Sequence, residues 1–197
     1  MTRQAVDQNS LDQLFFHART HRYWEDRSIS KDTLEALYAL MRLGPTSGNC
    51  CPARFVFLTS EGAHKRLESC LAAGNVRQTM AAPVTIIVAY DTEFYEQLPF
   101  LSPHNNSRSW FVGKPTAIES TAFRNSSLQA GYLIMAARAL GLDCGPMSGF
   151  SPRQVNEEFF LDTTWKVNML INLGYGVEDK LHERLPRLKF DDACTVL

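Results

Sequence analysis

The sequence lacks the features that mark several classes of protein. Its longest apolar stretches, at 84–90 and 132–137, are far shorter than the ~20 residues that span a bilayer, and its first ten residues contain no apolar signal-peptide core. The five cysteines are odd in number and have no Cys-x-x-Cys spacing, which argues against a disulfide framework and a zinc site. The 20 basic and 21 acidic residues nearly cancel, so no strong overall field attracts nucleic acid or an acidic membrane. We therefore expect a soluble, cytoplasmic protein with no metal, no nucleic-acid partner and no membrane partner.

Common catalytic and nucleotide-binding motifs are absent as well. No Gly-x-Gly-x-x-Gly follows a predicted strand, and there is no Walker loop and no His-Glu-x-x-His. The five histidines show no metal-ligand spacing and are interpreted as surface or packing residues. Cys50 and Cys51 are adjacent, and we interpret them as small loop residues rather than as a strained disulfide. These absences alone leave a domain of mixed helices and strands.

The spacing of apolar residues predicts the elements of one domain over residues 1–197. The near-continuous apolar run at 83–90 predicts a central strand that is buried on both faces. Capping residues predict one helix after Ser10 and another after Ser30. The other predicted elements are a strand at 54–59, a helix at 60–71, a short helix with an irregular segment at 91–114, a long helix at 115–140 ended by Gly141, a helix from Ser151-Pro152, a strand at 166–175 and an extended polar tail.

Two parts of the chain carry the chemistry of a phosphate site beside a flat ring. Arg19, Thr20 and Arg22 lie near one terminus and Arg187 lies near the other. Guanidinium and hydroxyl donors of this kind offset the cost of desolvating a phosphate dianion. The glycine-rich segment 145–149 has small residues that let backbone N–H groups approach a flat ring closely. Any one arginine could instead lie on a solvated face, but their occurrence with this segment favours a bound phosphate ester.

The chain resembles the nitroreductase-like family of FMN-dependent oxidoreductases over almost its whole length. Residues 18–24 match the opening Arg-Arg-Ser-x-Arg motif, with Ala18 in place of the first arginine. Residues 45–55 match the Pro-Ser-x-x-Asn-x-Gln-Pro-Trp-Arg-Phe motif, and residues 146–150 match the Pro-Ile-Glu-Gly-Phe turn. Within the family, phrases such as Gly-Pro-Met-Ser-Gly-Phe and Glu-Phe-Tyr-Glu-x-Leu-Pro are most similar to the malonic semialdehyde reductases of pyrimidine utilisation.

The resemblance implies both a fold and a cofactor site. The implied fold is α+β, a three-layer α/β/α sandwich with a central mixed, mainly antiparallel sheet, in a domain-swapped-type homodimer with FMN sites at the subunit interface. Residues 46–49 would act across that interface on the flavin of the other subunit. The implied FMN ligands are Arg19, Thr20, Arg22, Thr46, Ser47, Asn49, Asn75, Pro146, Met147, Ser148, Gly149 and Arg187.

The resemblance also implies a ping-pong oxidoreductase, in which NADH or NADPH reduces FMN and leaves before the acceptor binds. The expected acceptor is malonic semialdehyde, reduced to 3-hydroxypropionate in pyrimidine catabolism, and no catalytic side chain is required because the flavin carries the hydride. Candidate substrate contacts are Arg108, Trp110, Phe111 and Arg124, although Trp110 and Phe111 could instead plug the interface. The alternatives are a broad-specificity nitroaromatic or quinone reductase and a flavin-binding protein without turnover.

Overall fold

The computed structural model describes residues 4–197, which form four strands and eight α-helices. The strands are β1 (Ala53–Leu58), β2 (Val84–Asp91), β3 (Asp143–Met147) and β4 (Trp165–Gly174). The helices are α1 (Gln8–Leu11, continued by a π-helical turn at Asp12–Phe16), α2 (Lys31–Met41), α3 (Glu61–Glu68), α4 (Ala73–Met80), α5 (Leu98–Leu101), α6 (Pro115–Ala139), α7 (Pro152–Phe159) and α8 (Phe190–Ala193). Short 3₁₀ turns lie at Ser47–Asn49, Phe94–Gln97, Ser107–Trp110 and Glu178–Lys180.

The four strands form one antiparallel sheet in the order β1-β2-β4-β3. A parallel contact is made by an isolated bridge between Thr20 and Cys144, at the outer edge of β3. The predicted α+β class with a mainly antiparallel sheet is therefore confirmed. Every residue of β2 is buried, which confirms the central strand predicted from its apolar run.

Helices cover both faces of the sheet and make three layers. On one face, α2 and α6 pack on β2 and β4 through a cluster that includes Leu37, Met41, Leu133, Ile86 and Ile171. On the other face, α3 and α7 pack on the same strands through a cluster that includes Leu67, Val155, Ile87 and Leu170. Successive residues of β2 enter opposite clusters because side chains alternate along a strand.

Capping residues end or begin helices where the sequence predicts. Ser30 accepts a hydrogen bond from the backbone N–H of Thr33 at 3.2 Å and begins α2. Ser151 does the same for the N–H of Gln154 at the start of α7, where proline holds the first helical position. Gly141 has a φ of +72° just beyond α6, in the left-handed region that favours glycine.

Four details differ from the sequence-based expectation. The tail, expected to be extended, contains the 3₁₀ turn at Glu178–Lys180 and the short helix α8. The first helix begins at Gln8, because the Asp7 carboxylate rather than Ser10 caps it, accepting the N–H of Ser10 at 2.7 Å. Residues 145–147, expected as part of a glycine-rich turn, belong to the edge strand β3, because they complete an antiparallel ladder with β4. The helix α4 was not predicted, since Ala72 precedes it without a capping side chain and only one of its residues is buried.

Helix α6 holds a loop in place through buried amide side chains. The Oδ1 of Asn125 accepts the N–H of Ser47 at 2.8 Å, and the Oε1 of Gln129 accepts the N–H of Ala53 at 2.9 Å. Both side chains are almost fully buried, so these bonds fix the loop between α2 and β1 firmly.

Across residues 4–197, no helix combines the length and apolarity that crossing a membrane requires.

Candidate functional site

A basic cleft of about 380 Å³ lies between the segment after α1 and the chain that follows β4. It brings residues 18–23 together with residues 180–187, from opposite ends of the sequence. Its lining includes Thr20, His21, His182, Glu183 and six Lys or Arg residues, namely Arg19, Arg22, Arg138, Lys180, Arg184 and Arg187. The arginines predicted from both termini to hold a phosphate therefore line one cleft.

Arg19 and Arg184 of the basic cleft bond to backbone carbonyls, whereas Arg22 does not. Arg184 donates from Nη2 to the carbonyl oxygens of Phe16 and Ala18 at 2.7 and 2.9 Å, and Arg19 donates to the carbonyl of His182. These bonds tie the tail to the segment after α1. Among the residues described, the guanidinium of Arg22 has no hydrogen-bond partner, so its donors are available to an anion.

A narrow cleft of about 210 Å³ lies next to the basic cleft. The two share Thr20, His21 and Arg22. The rest of the narrow cleft is lined by Asn75, Gln78, Gly145, Pro146, Met147, Ser148 and Gly149. Five of its ten lining residues thus come from the glycine-rich segment 145–149, and its opposite wall is α4.

Two glycines keep the walls of the narrow cleft close. A Cβ on Gly149 would lie 2.4 Å from Nδ2 of Asn75, and a Cβ on Gly145 would lie 2.6 Å from the carbonyl oxygen of His21. A side chain at 145 would displace the backbone of His21, and a side chain at 149 would displace the amide of Asn75. The two glycines therefore let the segment 145–149 pack closely against residue 21 and against α4.

Asn75 joins α4 to the glycine-rich segment. Its Nδ2 donates to the carbonyl of Gly149 at 2.9 Å, and its Oδ1 accepts from Nε2 of Gln78 at 2.7 Å. Gln78 and His21 were missed by the sequence analysis, although Gln78 lies three residues after Asn75 and so on the same face of a helix. His21 gave no signal, because an isolated histidine has no diagnostic spacing.

The donors of the two clefts fit a flavin mononucleotide. Guanidinium and hydroxyl groups at one end match a phosphate monoester, and the narrow cleft offers amide groups and open backbone to a flat heteroaromatic ring. The shared residues 20–22 place the two binding chemistries next to each other. Within the described part of the chain, no group of three or more His, Cys, Asp or Glu side chains could hold a metal ion.

The loop after α2 lies outside both clefts. Its backbone has positive φ at Gly48 (57°), Asn49 (55°) and Cys51 (39°), a strained conformation held by surrounding hydrogen bonds. Asn49 donates from Nδ2 to the carbonyl of Leu101 at 2.7 Å. The three FMN ligands predicted in this loop do not line the basic or the narrow cleft of their own chain. They are Thr46, Ser47 and Asn49.

The predicted substrate residues also lie away from the two clefts of their own chain. Arg108 donates from Nε and Nη2 to both carboxylate oxygens of Glu96, at 2.8 and 2.6 Å. Trp110 is half exposed, whereas Phe111 is buried in the apolar cluster beside α5 and α6. Arg124 is exposed on α6.

The two adjacent cysteines are free thiols. Cys50 is buried, and desolvation raises the pKa of its thiol to about 11. Cys51 is partly exposed and lies 3.6 Å from the hydroxyl of Thr46. The interpretation of both as loop residues rather than as a disulfide is therefore confirmed.

Comparison with known proteins gives the family. A model described as the nitroreductase family matches residues 17–175. A protein of Stutzerimonas stutzeri strain A1501, provisionally named an NADH dehydrogenase/NAD(P)H nitroreductase, is 56% identical over 191 residues and 97% of each chain. Two solved structures have similar folds, and each match covers 100% of both chains. One is a provisionally assigned nitroreductase of Exiguobacterium sibiricum in complex with FMN, with a TM-score of 0.81 and 22% identity. The other is a provisionally assigned NAD(P)H:FMN oxidoreductase of Staphylococcus epidermidis, with a TM-score of 0.85 and 18% identity. The chain belongs to the nitroreductase family.

Proposed function

We propose that this protein is an FMN-dependent oxidoreductase that takes its electrons from NADH or NADPH. The observation that carries the proposal is that the basic cleft and the narrow cleft share residues 20–22 in their linings. When bound, FMN accepts a hydride from the nicotinamide and passes it to an acceptor. The names of the relatives, which include an NAD(P)H nitroreductase and an NAD(P)H:FMN oxidoreductase, support this assignment.

The residues of the two clefts divide the work of holding the cofactor. Arg22, Thr20 and the other basic side chains of the basic cleft neutralise and hold the phosphate. Asn75 and Gln78 offer amide groups to the edge of the ring, and residues 147–149 offer their backbone. Side chains need only bind and orient the reactants, because the cofactor carries out the redox chemistry.

The protein acts as a homodimer in this proposal. The outer face of α6 exposes Phe123, Leu128 and Tyr132, and the tail exposes Leu185 and Phe190. Apolar surface on this scale is typical of an interface between subunits. Across such an interface Thr46, Ser47 and Asn49 would reach the flavin of the partner, which accounts for their distance from the clefts of their own chain.

The proposed acceptor is malonic semialdehyde, reduced to 3-hydroxypropionate in pyrimidine catabolism. Such a small carboxylate would be recognised by an arginine. The structure favours Arg124 for this role over Arg108, because Glu96 already engages both the Nε and Nη2 donors of Arg108. A broad-specificity nitroaromatic or quinone reductase is the second candidate, and the exposed indole of Trp110 would suit aromatic acceptors.

Anaerobic addition of NADH or NADPH to the FMN-loaded protein tests the proposal. Bleaching of the flavin absorbance supports an oxidoreductase, whereas a stable yellow colour contradicts it and leaves a flavin-binding protein. The ratio of kcat/KM for malonic semialdehyde to that for a nitrofuran then identifies the acceptor. Arg124→Ala should raise KM for the semialdehyde alone, and Arg108→Ala, whose side chain is already paired, serves as its control.

A further inference from the structure

The segment that carries Thr20 and Arg22 lies along the edge of the sheet and is bonded on both sides of these residues. Beyond Arg22, the Tyr23 carbonyl accepts the N–H of Val177 at 3.1 Å, and the N–H of Glu25 donates to the Tyr175 carbonyl at 2.8 Å. Thr20 bridges Cys144 in parallel, and the N–H of His21 donates to the Cys144 carbonyl at 3.1 Å. Side chains alternate along an extended chain, so burying His21 turns Thr20 and Arg22 to the opposite side. A shift of one residue would exchange the two sides, which makes the register of this segment decisive for the cofactor site.

The side chain of His21 occupies a closed slot beside β3 and the end of β4. It is only 4% exposed, and its Nε2 lies 3.4 Å from Oδ1 of Asp143. The other carboxylate oxygen of Asp143 accepts the N–H of Gly176 at 2.9 Å. A Cβ on Gly176 would lie 1.9 Å from Nδ1 of His21, so the slot exists only because residue 176 is glycine. The described residues offer Nδ1 no hydrogen-bond partner.

This arrangement differs from the ordinary packing of a buried histidine. His64 is equally buried, but both of its ring nitrogens are paired, with the Ser60 carbonyl at 3.1 Å and the Thr85 hydroxyl at 3.2 Å. His21 has an unpaired nitrogen and one long contact to a carboxylate, so hydrogen bonding alone does not explain its burial. The imidazole ring of His21 instead packs against Gly176, and this packing holds the segment in place.

We infer that His21 is a positioning residue that fixes the register of residues 19–22 and thereby places Thr20 and Arg22 for the phosphate of the cofactor. Asp143 and Gly176 form the slot that holds it. The inference rests on the proposed function, because it assumes that the basic cleft binds the FMN phosphate. It assigns these three residues a role in cofactor affinity although none of them is expected to touch the phosphate.

The test compares the affinities of the apoprotein for FMN and for riboflavin, which lacks the phosphate. The ratio of the two dissociation constants reports the contribution of the phosphate site. His21→Ala should lower the preference for FMN about tenfold or more, because charged hydrogen bonds to the phosphate are lost. His64→Ala is the matched control: it should lower the melting temperature and leave the ratio unchanged.

A second variant probes the slot directly. Gly176→Ala should lower the same ratio, and its effect should disappear in the His21→Ala background, where the added methyl group has room. If His21→Ala does not fold, Asp143→Asn replaces it and should also lower the ratio, because the contact to His21 is weakened. A wild-type-like ratio in the folded variants at positions 21, 143 and 176 would overturn the inference, whereas a wild-type protein that binds no FMN would overturn the proposed function instead.

Discussion

The narrow cleft should be sensitive to a single methyl group at Gly149. A Cβ there would lie 2.4 Å from Nδ2 of Asn75, about 1 Å closer than ordinary van der Waals contact allows. Asn75 has little freedom to move away, because its amide is bonded to the Gly149 carbonyl at 2.9 Å and to Gln78 at 2.7 Å. Gly149→Ala should therefore break the Asn75–Gly149 bond and separate α4 from the glycine-rich segment.

The expected cost of this substitution combines overpacking, at about 1–3 kcal/mol, with the loss of one hydrogen bond, at about 1 kcal/mol. The total of about 2–4 kcal/mol corresponds to a decrease of roughly 4–16 °C in the melting temperature of a chain of this length. The affinities of the protein for FMN and for riboflavin should fall by the same factor, because the substitution lies where the flavin ring is expected to bind.

Gly74→Ala is the matched control, since a Cβ at Gly74 meets nothing within 4 Å and α4 should gain up to ~1 kcal/mol of helix propensity. Thermal unfolding and flavin titration measure both effects. Wild-type melting temperature and wild-type flavin affinities in Gly149→Ala would refute the reasoning.

Two further predictions concern charge. Arg22→Ala should weaken FMN binding about 10- to 100-fold, because it removes a charged phosphate donor. Arg27 lies outside both clefts, and its guanidinium stacks 3.7 Å over the Tyr175 ring, so Arg27→Ala should leave FMN affinity unchanged. Equal losses of FMN affinity in the two variants, measured by fluorescence titration, would contradict the assignment of Arg22. A hydrogen bond from the Tyr90 hydroxyl, and to a smaller extent one from Lys166, lowers the pKa of Glu119 from its ordinary 4.5. The ionised Glu119 therefore stabilises the folded chain above pH 4.5, and this stabilisation is lost as the pH falls through the lower pKa of the folded state. Glu119→Gln should make the acid side of the stability curve shallower in denaturant titrations, and parallel curves for the two proteins between about pH 5 and 3 would show that Glu119 plays no such part.

Local signals in the sequence were enough for much of the fold. The apolar run of β2, the Ser30 cap of α2 and the glycine after α6 each depend on neighbouring residues only, and each is confirmed. Strand β3 was missed because its sequence, Asp-Cys-Gly-Pro-Met, has little β propensity, and its ladder with β4 decides its conformation. The cap at Asp7 was missed because three residues able to cap a helix, Asp7, Asn9 and Ser10, lie within four positions.

The site was predictable to the extent that motifs carry its chemistry. Arg19, Thr20, Arg22 and Arg187 line one cleft as expected, although no rule of spacing could bring the two termini together without the resemblance to a family. The pairing of Arg108 with Glu96 could not be foreseen, because it joins two turns whose contact only the folded chain creates. The slot of His21 depends on Gly176, 155 positions away, and has no local signature.

Titration of the flavin-free protein with FMN tests the central claim most directly. The account predicts that each chain binds one FMN, that riboflavin binds more weakly, and that added salt reduces this difference because the phosphate is held by charged groups. A protein that leaves FMN fluorescence and absorbance unchanged, or that binds riboflavin as tightly as FMN, would contradict the claim that the two clefts form one flavin mononucleotide site.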